Sequence, residues 1–160
     1  MALSFPVARL RKPALVGLLA IAAGSSFAQE RFKVSGDGQE VFDSSSRLTW
    51  RRCAEGMRWS GQVCAGKALK FSYAGAKNKT AGAWRLPNRE ELVGIVEKNA
   101  KKKPRIDTAA FPQTPALPFW ATRPGSDDNL NAWLVSFSSG KVKANLGQAK
   151  FPLRLVRTGS

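Results

Sequence analysis

The 160-residue sequence predicts an α+β fold in which one or two helices pack beside antiparallel hairpins. Three observations carry that prediction. Short stretches that alternate apolar and polar residues, each bounded by turn residues, lie toward both ends of the chain. One strongly marked helix start lies near the middle, at Trp84-Arg85-Leu86-Pro87-Asn88-Arg89-Glu90-Glu91-Leu92. The order of elements is strands, then helices, then a run of hairpins, which sets the helices beside a sheet.

Residues 1–28 read as a signal peptide and not as fold. Arg9, Arg11 and Lys12 form a basic start, Ala14 to Ala23 is an apolar run, and Ser26-Phe27-Ala28 supplies small residues for cleavage after Ala28. The run is short for a membrane span and no second one follows, so the expected product is exported, not membrane-spanning, and periplasmic or secreted to the cell surface. Residues 29–160 suit one domain with a single core. They keep 23 of the 26 basic residues and all 11 acidic ones, a net charge of +12. Such an excess attracts something acidic outside the cytoplasm: anionic polysaccharide, a lipid headgroup layer or extracellular DNA.

Residues 29–39 are polar and glycine-containing, and are expected to be a flexible N-terminus that docks through Phe32 or Val34; the domain proper is expected over 40–158. Glu40–Asp43 and Arg47–Trp50 read as a hairpin about the turn Ser44-Ser45-Ser46, with Leu48 and Trp50 on its core face. The stretch from Cys53 to Cys64 shows turn residues and no sustained period, with Trp59 expected to plug it from beneath. From Ala65 to Ala83 a short, weak helix is expected, with Phe71, Ala74 and Ala76 on one face.

The central helix is the best-marked element. Pro87 holds Leu86 extended, Asn88 is placed to accept the Glu91 amide, and Glu91 is placed to reach back to the Asn88 amide, a reciprocal capping box. Leu92, Ile95 and Val96 form one apolar stripe, which carries the expected helix to about Lys98 or Ala100. Pro104 stops it, so Lys98, Lys101, Lys102, Lys103 and Arg105 are expected to gather at a helix C-terminus, where the dipole favours cations. Four prolines from Pro104 to Pro118 predict an irregular loop packed over the core. Strands follow at 119–122, at 132–137 with a Ser138-Ser139-Gly140 turn into 141–145, and at 151–157, the last with Leu153 and Leu155 on a buried face and Arg154 on a partly basic one.

The chemistry excluded is as informative as the pattern. There is no histidine, which removes Ser-His-Asp and Cys-His catalysis and every histidine metal site. Cys53 and Cys64 are not a Cys-x-x-Cys redox pair and have no further zinc ligands, so in an oxidising compartment they are expected to form a disulfide. No catalytic residue, metal or cofactor is indicated.

The motifs Val41-Phe42-Asp43, Leu48-Thr49-Trp50-x-Arg52-Cys53, Trp59, Cys64, the Trp84–Leu92 block, Ile106-Asp107, Phe111-Pro112, Phe119-Trp120, Ala132-Trp133-x-Val135-x-Phe137-x-x-Gly140 and Leu153-Arg154-Leu155-Val156-Arg157 occur in order. In this the chain resembles the bacterial Lcl C-terminal domain family, typified by the C-terminal domain of a collagen-like adhesin. The resemblance implies a C-type-lectin-like fold and a domain that binds sulfated glycosaminoglycans. Calcium-dependent sugar binding would draw on Asp127, Asp128, Asn129 and Asn131, but the Glu-Pro-Asn or Gln-Pro-Asp triplet of calcium-binding lectins is absent, and such a run more often makes a turn. The expectation is a non-enzymatic binding module that takes anionic polysaccharide on Lys98, Lys101, Lys102, Lys103 and Arg105, helped by Lys141 and Lys143. The alternative is an envelope accessory subunit that docks onto a protein partner through an apolar patch. Nucleic acid ranks third, because no aromatic residue is interleaved with the 98–105 cluster.

Overall fold

Residues 1, 30–122, 132–145 and 148–159 are described by the computed structural model; the expected signal peptide beyond Met1 and the Asp127–Asn131 run lie outside the described residues. In chain order the elements are β1 (Phe32–Val34), β2 (Glu40–Asp43), β3 (Leu48–Arg51), β4 (Met57–Trp59), β5 (Cys64–Gly66), α1 (Tyr73–Lys77), α2 (Arg89–Gly94), β6 (Pro118–Ala121), β7 (Ala132–Ser136), β8 (Val142–Asn145) and β9 (Val156–Thr158). Two short helices beside antiparallel sheets make the fold α+β, as expected.

The β2–β3 hairpin closes on a turn set by Asp43. Its carboxylate accepts from the Ser45 amide and the Ser46 hydroxyl, while Arg31 donates to both its oxygens at 2.8 and 2.7 Å. Arg47 takes a positive φ of 57° there, so the returning strand starts one residue later than the sequence suggests. Residues 32–34, where the N-terminal segment is expected to dock, pair with β2 as an edge strand. β9 pairs on the other side of β3, giving a four-stranded sheet in the order β1-β2-β3-β9. Leu48 and Trp50 face the core as predicted, but Thr49 on the opposite face is also buried, because its hydroxyl donates to the Gly159 carbonyl.

Cys53 and Cys64 are joined, as expected, with their Cα atoms 5.5 Å apart. Between them β4 and the start of β5 form a small hairpin that three-residue strands gave no period to announce. Trp59 is half-buried, set against Gly38, with the Arg52 guanidinium 3.8 Å from its ring centroid. The weak helix expected after Ala65 is the five-residue α1, capped by Ser72; its buried residues are Tyr73 and Ala76, and Ala74 faces solvent.

The segment Trp84–Asn88 is the seam between sheets. Arg85 exchanges backbone hydrogen bonds with Val156 of β9, both 2.9 Å, and the Pro87 carbonyl accepts from the Thr122 amide just after β6. β6, β7 and β8 form an antiparallel sheet whose faces serve two cores. Phe119, Ala121 and Val135 pack with Val41, Trp50, Leu92 and Phe111; Trp120, Ala132 and Leu134 pack with Tyr73, Leu86, Leu153 and Leu155. Each of the large apolar side chains fully buried there stabilises the fold by roughly 1.5–3 kcal/mol. The proline-rich 106–117 segment lies over the first core without regular structure, with Ile106, Ala110 and Phe111 buried.

Two expectations about the second half need correction. The helix opened by Asn88 ends at Gly94 and does not reach Lys98, because the chain turns at Ile95 and the Glu97 amide is taken by the Arg105 carbonyl at 3.0 Å. The apolar stripe survives the turn: Ile95 is buried and Val96 packs on the core without helical spacing. The final strand is only Val156–Thr158, and before it Leu153, Arg154 and Leu155 are all buried, so no partly basic outer face exists at Arg154.

Candidate functional site

Asn88 and Glu91 make the predicted capping box, with both reciprocal hydrogen bonds at 2.8 Å. Arg85 adds two bonds to the Glu91 carboxylate, at 2.8 and 2.7 Å. Burial works to raise the Glu91 pKa, but the bonds from Arg85 and the Asn88 amide outweigh it and hold the carboxyl below its usual range. This anchored block delivers the chain into the basic loop that follows.

Within that loop Lys98, Lys101, Lys102 and Lys103 are exposed, and none of them forms an ion pair among the described residues. They stand on irregular backbone and not at a helix C-terminus, so the dipole does not compensate their charge. Arg105 closes the loop: its amide donates to the Phe137 carbonyl at 2.7 Å and its guanidinium to the Lys98 carbonyl at 2.7 Å. The Ser138–Gly140 turn sits against this base, where a Cβ on Gly140 would lie 3.4 Å from Val96 and 4.0 Å from the Arg105 Cδ. The Lys98 backbone, Arg105 and the turn before β8 are thereby brought together. Lys141 and Lys143 continue along the hairpin, exposed, and with Pro118, Leu134 and Ser136 line a shallow cleft of about 300 Å³.

A second cationic region escaped the sequence reading. On the outer face of the first sheet Glu40 accepts from Arg157 at 2.9 Å and from Arg51 at 3.4 Å, and both guanidiniums lie over the Trp84 ring, at 5.4 and 4.0 Å from its centroid. Beside them a cleft of about 320 Å³ is lined by Arg51, Glu55, Arg58, Lys79 and Trp84 among others. These residues come from four separated segments, and the only sequence signal for them was Arg51, placed opposite Trp50 by period-two alternation.

Arg154 was likewise missed as a buried cation. It is fully buried, donates to the Arg51 and Arg52 carbonyls and to the Thr114 hydroxyl, and lies 4.8 Å from the Phe111 ring centroid. Burial pushes its pKa down to about 9, which leaves it charged at neutral pH. Its Nε has no partner among the described residues.

The seam at Trp84–Asn88, the capping box, the Cys53–Cys64 bridge and the buried Leu153–Val156 run are the positions on which the resemblance drawn from sequence rested. The family model for the Lcl C-terminal domain matches residues 39–157. The chain belongs to the Lcl C-terminal domain family. No curated protein and no solved structure gives a significant match to the chain. The Lcl C-terminal domain is an adhesin-associated binding domain. That family, the disulfide and the lack, among the described residues, of a helix long and apolar enough to cross a membrane fit an exported protein. Among the same residues no group of acidic or cysteine side chains is arranged to hold a metal ion.

Proposed function

We propose that this Lcl C-terminal domain is an exported, non-enzymatic module that binds anionic, sulfated polysaccharide through Lys98, Lys101, Lys102, Lys103 and Arg105, extended by Lys141 and Lys143. The observation that carries the reading is the 98–105 loop itself: four exposed lysines without ion pairs among the described residues, on backbone tied by Arg105 to the β7–β8 hairpin. Sulfates or carboxylates spaced along a polymer would meet several ammonium groups at once, each contact charge-assisted and individually weakened by salt. The net charge of +12 over residues 29–160 adds long-range attraction for the same ligand.

Retention on a heparin column, with and without Lys101→Glu, Lys102→Glu and Lys103→Glu together, tests this directly. The triple variant is expected to elute at markedly lower salt while its thermal unfolding is unchanged. Equal retention would place the binding surface elsewhere, and an envelope protein captured in high salt would favour the accessory-subunit alternative.

A further inference from the structure

We propose that the cleft beside Trp84 is a separate site for one acidic sugar unit, held by Arg51, Arg58 and Lys79 against the Trp84 ring. This goes beyond polymer binding by the 98–105 loop and does not depend on it.

The volume, about 320 Å³, lies in the roughly 300–1,000 Å³ range of small-ligand sites. Its walls are held by the scaffold on both sides. The Arg51 amide donates to the Leu155 carbonyl and the Glu55 amide to the Leu153 carbonyl, each at 3.0 Å, and Cys53 in the cleft wall is fixed through its bridge to Cys64. A ligand would therefore meet a preformed surface.

The side chains select a ligand by their chemistry. Three cations face one carboxylate, Glu55, so the cleft favours an anion. Arg51 is pre-set by Trp84 and by its long 3.4 Å contact to Glu40, and keeps donors of its planar fork available. Arg58 is exposed on β4 and forms no ion pair among the described residues. Lys79 is 3.9 Å from Glu55 and both side chains are partly exposed, a pair that a ligand separates at little cost. Released, the Glu55 carboxylate is an acceptor for hydroxyl groups, as is the Gln39 side chain at the same wall. The Trp84 indole, whose ring the Arg51 guanidinium already covers at 4.0 Å from its centroid, adds apolar surface to the cleft wall beside that cation. Cations alone would suit any small anion. Cations together with hydroxyl acceptors and an indole ring suit a carboxylated or sulfated monosaccharide.

The test is titration of the isotope-labelled chain with glucuronate, with glucose and inorganic sulfate as separate arms, followed by amide and indole NMR shifts. Glucuronate is expected to move the signals of Arg51, Glu55, Arg58 and the Trp84 indole and to leave those of residues 98–105 in place. Arg58→Glu, an exposed change, is expected to weaken binding about tenfold or more, the worth of one charge-assisted bond. The Lys101–Lys103 reversal is expected to leave glucuronate affinity unchanged. Shifts confined to residues 98–105, no shifts at all, an unaffected Arg58→Glu variant, or sulfate or glucose binding as well as glucuronate would each overturn the proposal. Heparin retention lost by the triple reversal, with glucuronate shifts intact, would separate this site from the loop; glucuronate binding without heparin retention would sink the loop reading alone.

Discussion

Around the first sheet and its seam, five arginines are tied to partners: Arg31 to Asp43, Arg51 and Arg157 to Glu40 and the Trp84 ring, Arg85 to Glu91, and Arg154 to three oxygens under Phe111. On the 98–105 loop, Lys98, Lys101, Lys102 and Lys103 are exposed, with no carboxylate bound among the described residues. Both regions contribute to the same +12 over residues 29–160, but they hold that charge differently. A guanidinium offers a planar fork that matches carboxylates, carbonyls and rings, whereas an ammonium on a flexible stem is more strongly hydrated and keeps its water. Net charge alone therefore does not distinguish the two regions; the split between partnered arginine and lysine outside any ion pair among the described residues does.

That contrast predicts that the two regions respond to mutation in opposite ways. The largest effect is expected at Arg154. Arg154→Ala leaves a cavity and strips donors from the Thr114 hydroxyl and two partly buried carbonyls, a loss of about 3–5 kcal/mol in urea unfolding. The Lys101–Lys103 reversal, by contrast, is expected to change stability by no more than about 0.5 kcal/mol. Comparable losses would erase the distinction. Next in size, replacing Cys53 and Cys64 by serine is expected to cost about 3 kcal/mol through the freed loop, read as a lower thermal midpoint with polysaccharide binding retained below it.

A smaller change sharpens the comparison within the partnered set. Glu91→Ala removes half of the capping box and both carboxylate oxygens that accept from Arg85, and is expected to cost about 1–2 kcal/mol. A cycle with Arg85→Ala separates the pair from the cap. The pH dependence is smaller again per group. Burial pushes the Asp43 and Glu91 carboxyls up, but hydrogen bonds, led by those of Arg31 and Arg85, more than offset it, so both bind protons less readily folded than unfolded. Their contribution is present above the ordinary carboxylate range, about pH 4, and is lost as the pH falls through the depressed native values. Unfolding free energy measured from pH 7 down to pH 2 should fall at the acid end, and Asp43→Asn should flatten part of that fall.

The helix start at Asn88 and the hairpins at 40–51 and 132–145 were legible because their signals are local: a cap and its partner three residues apart, and alternation over four or five residues. What was not legible depends on partners distant in sequence. The helix stops at Gly94 because residues 95–97 find bonds and burial elsewhere, Glu97 with Arg105 among them. Arg154 reads as an outward residue by alternation, and is buried because the Arg51 and Arg52 carbonyls and Thr114, 40 or more positions away, converge on it. The candidate loop was visible as a lysine run, though on the wrong local structure. The Trp84 cleft was invisible, since Arg51, Arg58, Lys79 and Trp84 share no period and meet only in the folded chain.

The central claim, that unpartnered lysines and not the bound arginines engage the polyanion, is tested most directly by how affinity for sulfated polysaccharide depends on salt. Titrations of the wild type and the Lys101–Lys103 reversal across a range of sodium chloride give two slopes of log affinity against log salt. The account predicts a clearly shallower slope and weaker binding for the triple variant, because fewer ion contacts are made. Two coincident lines would contradict it.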